Sequence, residues 1–391
     1  MDAKAYGLFR EPTAEYRAIP KWIWNVEVDA ITEEGIRAQL EGFRDLDGYG
    51  GAMFVIWGSK NYMDGPFLER YGTALRVARE CGLTVILWDE NGFPSGFAGG
   101  LIEERHPEHA AKRLDMVSEV VPMSRADRRY ERALPEGRLM AAVAMDVDTY
   151  ERLDLTDKAE GGRLRFTAPP GNWKVMAFTL VTAEASQLGR GQKRKVVDYL
   201  SEAAVDAFIG CTHEAYYGRF KEYFGSTVRY AFYDEPAFWK VAGGRIWTGD
   251  FNEAFEARHG YGPATLYPAL FMDVGPDTAS ARNAMLTLRA DMYAERYVAR
   301  MAEWCDGHGI RLTGHMDQEE VPSPVHICGD LMKALGRQHI PGVDEIGYYG
   351  RGSAAYKLVS SSANNYDKGE VMSETFGGMG ADMPVPVLLK D

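Results

Sequence analysis

The sequence predicts an α/β protein, a (β/α)8 TIM-like barrel with a small antiparallel β insertion and an incomplete C-terminal end. Three observations point there. Short apolar runs recur along the 391 residues, each ending in polar or charged residues and leading toward an amphipathic helix. Continuous apolar strands alternating with helices suggest a parallel sheet covered on both sides. No glycine-rich dinucleotide fingerprint accompanies them, which favours a barrel over a doubly wound nucleotide fold.

The first run is IPKWIWN, 19–25, followed by TEEGIRAQLEGFRDLDG, where Ile36, Leu40 and Phe43 share one helical face. GAMFVIW, 51–57, leads through the helical LERYGTALRVARECG to the third run, LTVILWDENG, 83–92. Between about 115 and 185 the period changes. RLMAAVAMDV and GRLRFTAPPGNWKVMAFTLV, with PPGN as a turn, read as antiparallel strands. Helical character returns in SEAAVDAFIGCTHEAYYGRFKEYFG, with Ser201 placed as its cap.

VRYAFYDEP, 228–236, is the fourth core run, and a helix is expected from about 285 to 307. IRLTGHMDQE (310–319), GVDEIG (342–347) and EVMSETFG (370–377) complete seven, with the amphipathic AAYKLVSSSANNYD between the last two. Only GMGADMPVPVLLKD follows, too short for the missing helices and an eighth strand. The expected organisation is therefore 1–114 as the first part of the barrel, 115–195 as the β-rich insertion, and 196–391 as the remainder, truncated after strand seven.

Forty-four basic residues against 57 acidic ones give a net charge of -13, which argues against a nucleic-acid surface. The one compact basic run, GRGQKRK at 189–195, reads either as a solvated loop or as a patch recognising phosphate or acid. Cys81, Cys211, Cys305 and Cys328 are widely separated, so buried thiols are expected rather than a zinc knuckle or a disulfide framework. No apolar export segment opens the chain and no run is long enough to span a membrane. A cytoplasmic location is expected, or a secreted or periplasmic one if the natural N-terminus was trimmed.

Barrel enzymes gather their chemistry at the carboxyl ends of the strands. Here those ends carry Asn25, Asp89–Glu90, Asp234–Glu235, His315 with Asp317, Glu319 and Glu320, Asp344–Glu345, and Glu374. Glu235 and Glu374 form the sharpest pair. Cleaving a glycosidic bond takes one carboxyl group that protonates the leaving oxygen and another that attacks the anomeric carbon or activates water. Glu235 is assigned as acid/base and Glu374 as nucleophile or general base. Asp89, Glu90, Asn91, Asp234, His315, Glu319 and Glu320 are expected to bind substrate, and Trp24 to offer a ring face, as Trp22, Trp57, Trp88 and Trp239 could. Calcium is conceivable among the acids, although no spaced oxygen-ligand motif is present. A non-catalytic carbohydrate-binding or remnant protein, and a carbohydrate lyase or isomerase, stay open as alternatives.

Several segments together resemble landmarks of one family: FREPTAEYRAIPKWIWNVEV, ILWDENGFPSGFAGG, APPGNWKV, FYDEPAF, LTGHMDQEE and SETFGG, in this order from Phe9 to Gly378. The chain resembles the alpha-L-rhamnosidase-like glycoside hydrolases of family 106 and their uncharacterised relatives. That resemblance implies a (β/α) barrel with a β insertion, paired-acid hydrolysis with inversion, calcium as an aid to sugar binding, and an oligosaccharide or glycoside as substrate. Many relatives are longer and bear β-rich domains after the barrel, from which this chain departs.

Overall fold

A computed structural model of the chain describes residues 3–11, 13–187, 192–241, 245–319, 324–344, 354–375 and 377. All seven apolar runs form strands. Numbering only these parallel strands, they are β1 (Lys21–Trp24), β2 (Gly51–Ile56), β3 (Thr84–Trp88), β4 (Val228–Asp234), β5 (Arg311–His315), β6 (Gly342–Asp344) and β7 (Met372–Glu374). The first five make one parallel sheet in chain order, with Ile23 beside Val55, Phe232 beside Trp88, and Asp234 beside His315. β6 and β7 pair in parallel as a separate sheet that brings Asp344 beside Glu374.

The fold is therefore mixed α/β with a parallel sheet. The TIM-like barrel, expected to be incomplete only at its C-terminal end, is not seen as one continuous sheet among the described residues, because β6 and β7 stand apart from the first five strands. The break falls between β5 and β6. There the link is made by Ile340, whose N–H donates to Leu312 O at 3.2 Å and whose carbonyl accepts from Thr313 Oγ1 at 3.0 Å, rather than by a ladder. The backbones come very close at this point: a Cβ on Gly342 would lie 2.2 Å from the Gly314 carbonyl oxygen. Gly314 itself has φ 137°, and a Cβ there would lie 2.3 Å from Tyr233 O, so only glycine fits between β4 and β5. The segment after β7 read as too short to complete the barrel, 378–391, lies outside the described residues.

Helices cover one face of the parallel sheet. Glu33–Asp45 buries Ile36 and Leu40 on the expected face, and the Thr32 side chain caps it by accepting from Gly35 N at 3.1 Å. Gly65–Glu80 buries Phe67, Tyr71, Leu75 and Val77, with Asp64 accepting from Phe67 N at 2.9 Å. Ser201 does stand at the cap position of Glu202–Cys211, but its side chain makes no capping bond. The long helix runs Thr278–Tyr293, passes through a π-helical turn at Ala294–Ala299, and ends as Arg300–Gly307. The other face of the sheet gathers Met53, Val55, Ile86, Trp88 and Phe232, with Met372 of β7 packed against them.

The change of period read at about residue 115 corresponds to a separate antiparallel region, whose first strand begins at Lys112. Lys112–Val121, Trp173–Thr182, Arg138–Asp146 and Arg152–Asp154 are neighbours in a five-stranded sheet completed by Ile246–Trp247. A three-stranded sheet (Arg129–Ala133, Arg163–Thr167, Ala159–Glu160) packs on it around Tyr130, Leu164, Trp173 and Val175. A short hairpin, Ala185–Gln187 paired with Gln192–Arg194, then returns the chain to the parallel sheet. All four cysteines are buried and free, as expected. No helix among the described residues is long and apolar enough to cross a membrane.

Candidate active site

The parallel register carries the carboxyl ends of β4, β5 and β7 to one place, and β1 supplies a cation to them. Glu374 Oε2 lies 2.5 Å from Lys21 Nζ and 3.0 Å from His315 Nε2. Asp234 approaches the same two groups, Lys21 at 3.6 Å and His315 at 3.4 Å. His315 Nδ1 faces the Met316 carbonyl oxygen at 2.8 Å. With acceptors on both sides, both ring nitrogens need a proton, so this histidine is assigned as an imidazolium.

The electrostatics follow from these contacts. Burial opposes charging of His315, but Asp234 and Glu374 outweigh it and raise its pKa well above the ordinary value. Burial likewise opposes the Lys21 ammonium, and the same two carboxylates raise it. Glu374 is pushed up by burial but pulled down further by the His315 hydrogen bond and by Lys21, so it remains ionised. Asp234 is raised, mainly by burial.

Glu235, one residue on, belongs to a second group. Its Oε2 accepts from Lys240 Nζ at 3.1 Å, and the same ammonium lies 3.1 Å from Asp317 Oδ2. Asp317 also accepts from Trp239 Nε1 at 2.7 Å. Burial, then Asp234 and Asp317, push the Glu235 carboxyl up to about 7. Its backbone adopts φ 45°, a left-handed conformation that disfavours a side chain by roughly 1–2 kcal/mol. The backbone of Asp234, just before it, is held by Ser95, whose Oγ accepts from Asp234 N at 2.8 Å and whose N–H donates to Asp234 O at 2.7 Å. Tyr293 fixes the following turn by donating to the Pro236 carbonyl at 2.7 Å.

The remaining expected residues are placed differently. Asp89, Glu90 and Asn91 are fully buried beneath the loop after β3. Glu90 accepts the N–H groups of Asn91, Phe97, Ala98 and Gly99 at 2.5–2.8 Å, and Gln187 Nε2 at 3.1 Å. Asn91 exchanges two hydrogen bonds with the Ser59 backbone. Asp89 accepts from Ser95 Oγ at 2.6 Å, and burial raises its pKa well above the ordinary carboxyl value. Trp24 stacks on Phe54 inside the main core, its ring faces taken by protein. Glu319 is buried 3.8 Å from His315 Nδ1, with burial pushing it up to about 8. Glu320 and Glu345 lie outside the described residues.

Sequence reasoning did not single out Lys21 or Lys240, which hold the two glutamates, although each stands next to a tryptophan it did name. Trp239 is 41% exposed beside Asp317, and of the tryptophans considered for stacking it joins this group directly.

Asp234, His315 and Glu374 each offer a ligand atom, all within 4.8 Å of one another, a buried set able to coordinate a metal ion. The Nδ1 contact to Met316 O is the kind of anchor a metal-binding histidine uses. One nitrogen with two carboxylates suits zinc- or manganese-like ions better than calcium, which takes six to eight oxygens. Lys21 bears on both carboxylates, so an ammonium and a metal ion would compete for one position.

Residues 107–390 match the model of glycoside hydrolase family 106, described as alpha-L-rhamnosidase. The chain belongs to this family. Among solved structures, a rhamnosidase from Novosphingobium sp. PP1Y superimposes with a TM-score of 0.70 at 15% identity, covering 94% of this chain and 52% of that one. A β-galactosidase from the psychrophilic Marinomonas ef1 gives a TM-score of 0.47 at 11% identity, over 85% of this chain and 41% of that one. A search among curated proteins finds no match. The family-106 chain thus shares a fold with the Novosphingobium enzyme and spans about half its length.

Proposed function

We propose that this family-106 chain cleaves an O-glycosidic bond, with Glu235 as the acid and Glu374 as nucleophile or general base, and with alpha-L-rhamnosides as the first substrates to try. The observation that carries this reading is the convergence of the ends of β4, β5 and β7, where two glutamates stand in opposite electrostatic surroundings. Glu374, held by Lys21 and His315, stays ionised, as a base or nucleophile must. Glu235 is pushed up to about 7, so it can carry a proton near neutral pH. Pairs of carboxyl groups whose surroundings drive their pKa values apart are the usual basis of acid and base roles. Trp239, exposed beside Asp317 and the Lys240 that holds Glu235, offers a flat apolar face to a sugar ring.

We also read the seven parallel strands as a barrel wall, 1–114 and 196–391, interrupted by 115–195. The Lys21–Glu374 ion pair, which joins the first strand to the last, supports this. A divalent metal held by Asp234, His315 and Glu374 is a second state of the same cluster, reached when Lys21 withdraws. Such an ion would supply a Lewis-acid contact to sugar hydroxyls.

The test is hydrolysis of a panel of nitrophenyl glycosides, alpha-L-rhamnoside included, by the chain and by its E235Q and E374Q variants. Turnover is expected to fall on the order of 10²–10⁴-fold in each variant while the fold is retained. Turnover indifferent to both changes sinks the assignment. Binding of a glycoside with no turnover by the unaltered chain would favour a carbohydrate-binding protein instead.

A further inference from the structure

A cavity of about 520 Å³ lies between the returning hairpin and the antiparallel sheet, lined among others by Arg113, Lys193, Lys195 and Lys240. Glu184 is the one acidic residue in its described lining, in a protein whose net charge is -13. Two of these cations come from the basic run read in the sequence, of which residues 192–195 are described. The hairpin register places Lys193 opposite Ser186, and both line the cavity. On either side of Ser186, Ala185 and Gln187 are buried, and Gln187 is tied to Glu90 and to the Asn91 carbonyl. The hairpin is thereby anchored beside the strand ends.

Lys240 connects this cavity to the proposed chemistry. The side chain that lines it also holds Glu235, with Nζ 3.1 Å from Oε2. Arg113 is partly neutralised by Asp115 at 2.9 Å, and Lys240 by Glu235 and Asp317, each at 3.1 Å. The uncompensated positive charge of the lining therefore comes from Lys193 and Lys195, which have no ion pair with any described residue. A net positive recess next to an acid would favour a negatively charged group there, because like charges line it and opposite ones relieve it. The volume falls in the range of small-molecule pockets.

We propose that this cavity receives an anionic unit, carboxylate or sulfate, on the leaving-group side of the glycoside that is cleaved. The side follows from Glu235: the acid protonates the leaving oxygen, so a recess sharing Lys240 with it lies beyond that oxygen. The inference rests on the glycosidase reading above.

The experiment measures binding of methyl glucoside, methyl glucuronide and methyl glucoside 6-sulfate to the full chain, to its K193A/K195A double variant and to K193E. K193E alters a single exposed lysine in case the double change disturbs folding. The charged probes are expected to bind at least about tenfold more tightly than the neutral one at low salt. Both variants should lose most of that preference, and so should added salt. The tighter of the two charged probes tells a uronate from a sulfate ester. Equal binding of charged and neutral probes, no binding of either anion, or a preference kept in both variants overturns the proposal. If aryl glycosides are still hydrolysed through Glu235 in that case, the glycosidase reading stands and only the anionic subsite falls. Anion preference in a chain that hydrolyses none of the glycoside panel overturns the leaving-group assignment.

Discussion

Two strand ends of this protein look alike in sequence and behave in opposite ways. β3 ends in WDENGFP and β4 in YDEPAFW, each an Asp–Glu pair closing an apolar parallel strand. After β3 the chain is rich in glycine, and Gly92, Gly96, Gly99 and Gly100 all take positive φ. That freedom lets the loop curl round and turn backbone N–H groups onto Glu90, which becomes the buried centre of its own loop. After β4 comes Pro236, which has no N–H to give. Glu235 is left in a left-handed backbone position with its carboxylate facing Lys240. An acidic strand end is thus available or occupied according to whether the next residues can offer it N–H groups.

The largest effect should come from Glu90. E90A strands four backbone N–H donors, three of them buried and that of Gly99 partly so, and a loss of about 3–5 kcal/mol is expected in urea unfolding. E235A should cost far less, because it removes a buried carboxyl from a strained position. Equal losses would erase the contrast between the two ends.

Stability against pH sharpens the same comparison. Glu235 has its folded-state pKa raised from 4.5 to about 7, so between these values the folded chain holds a proton that the unfolded chain has released. Stability therefore falls as pH rises through this window and levels off above about 7. E235Q should be more stable relative to the unaltered chain above that window than below it, and urea titrations at both ends would show this. A difference independent of pH would mean that Glu235 is not held protonated.

Smaller in size is the Lys21 prediction. K21A removes the ammonium that competes for Asp234 and Glu374, so zinc or manganese ions should bind that variant at least about tenfold more tightly by calorimetry. Unchanged metal affinity would show that Lys21 and the ion do not share a position. The smallest effect concerns Lys240, whose charge lowers the Glu235 pKa. K240M should move the alkaline limb of the pH–rate profile upward by a fraction of a unit to about one unit. A downward shift would place Lys240 elsewhere in the mechanism.

The apolar runs, their spacing and their acidic ends were enough to predict seven parallel strands, the antiparallel region, the helix faces carrying Ile36 and Leu40, and the buried thiols. These depend on local periodicity and on burial, which a chain carries within a few residues. Sequence alone also pointed to Glu235 and Glu374, because a glutamate after an apolar strand is a local pattern. Which acids face a cation and which are enclosed by their own loop was decided only in three dimensions. Lys21 lies 353 positions before Glu374 and meets it across the strand ends at 2.5 Å. The pKa of each carboxyl is set by such neighbours and by exclusion of water, and neither is a property of the residues beside it in the chain. Trp24 shows the same limit from the other side: an aromatic near a strand end can stack on a sugar or on Phe54, and packing chose Phe54.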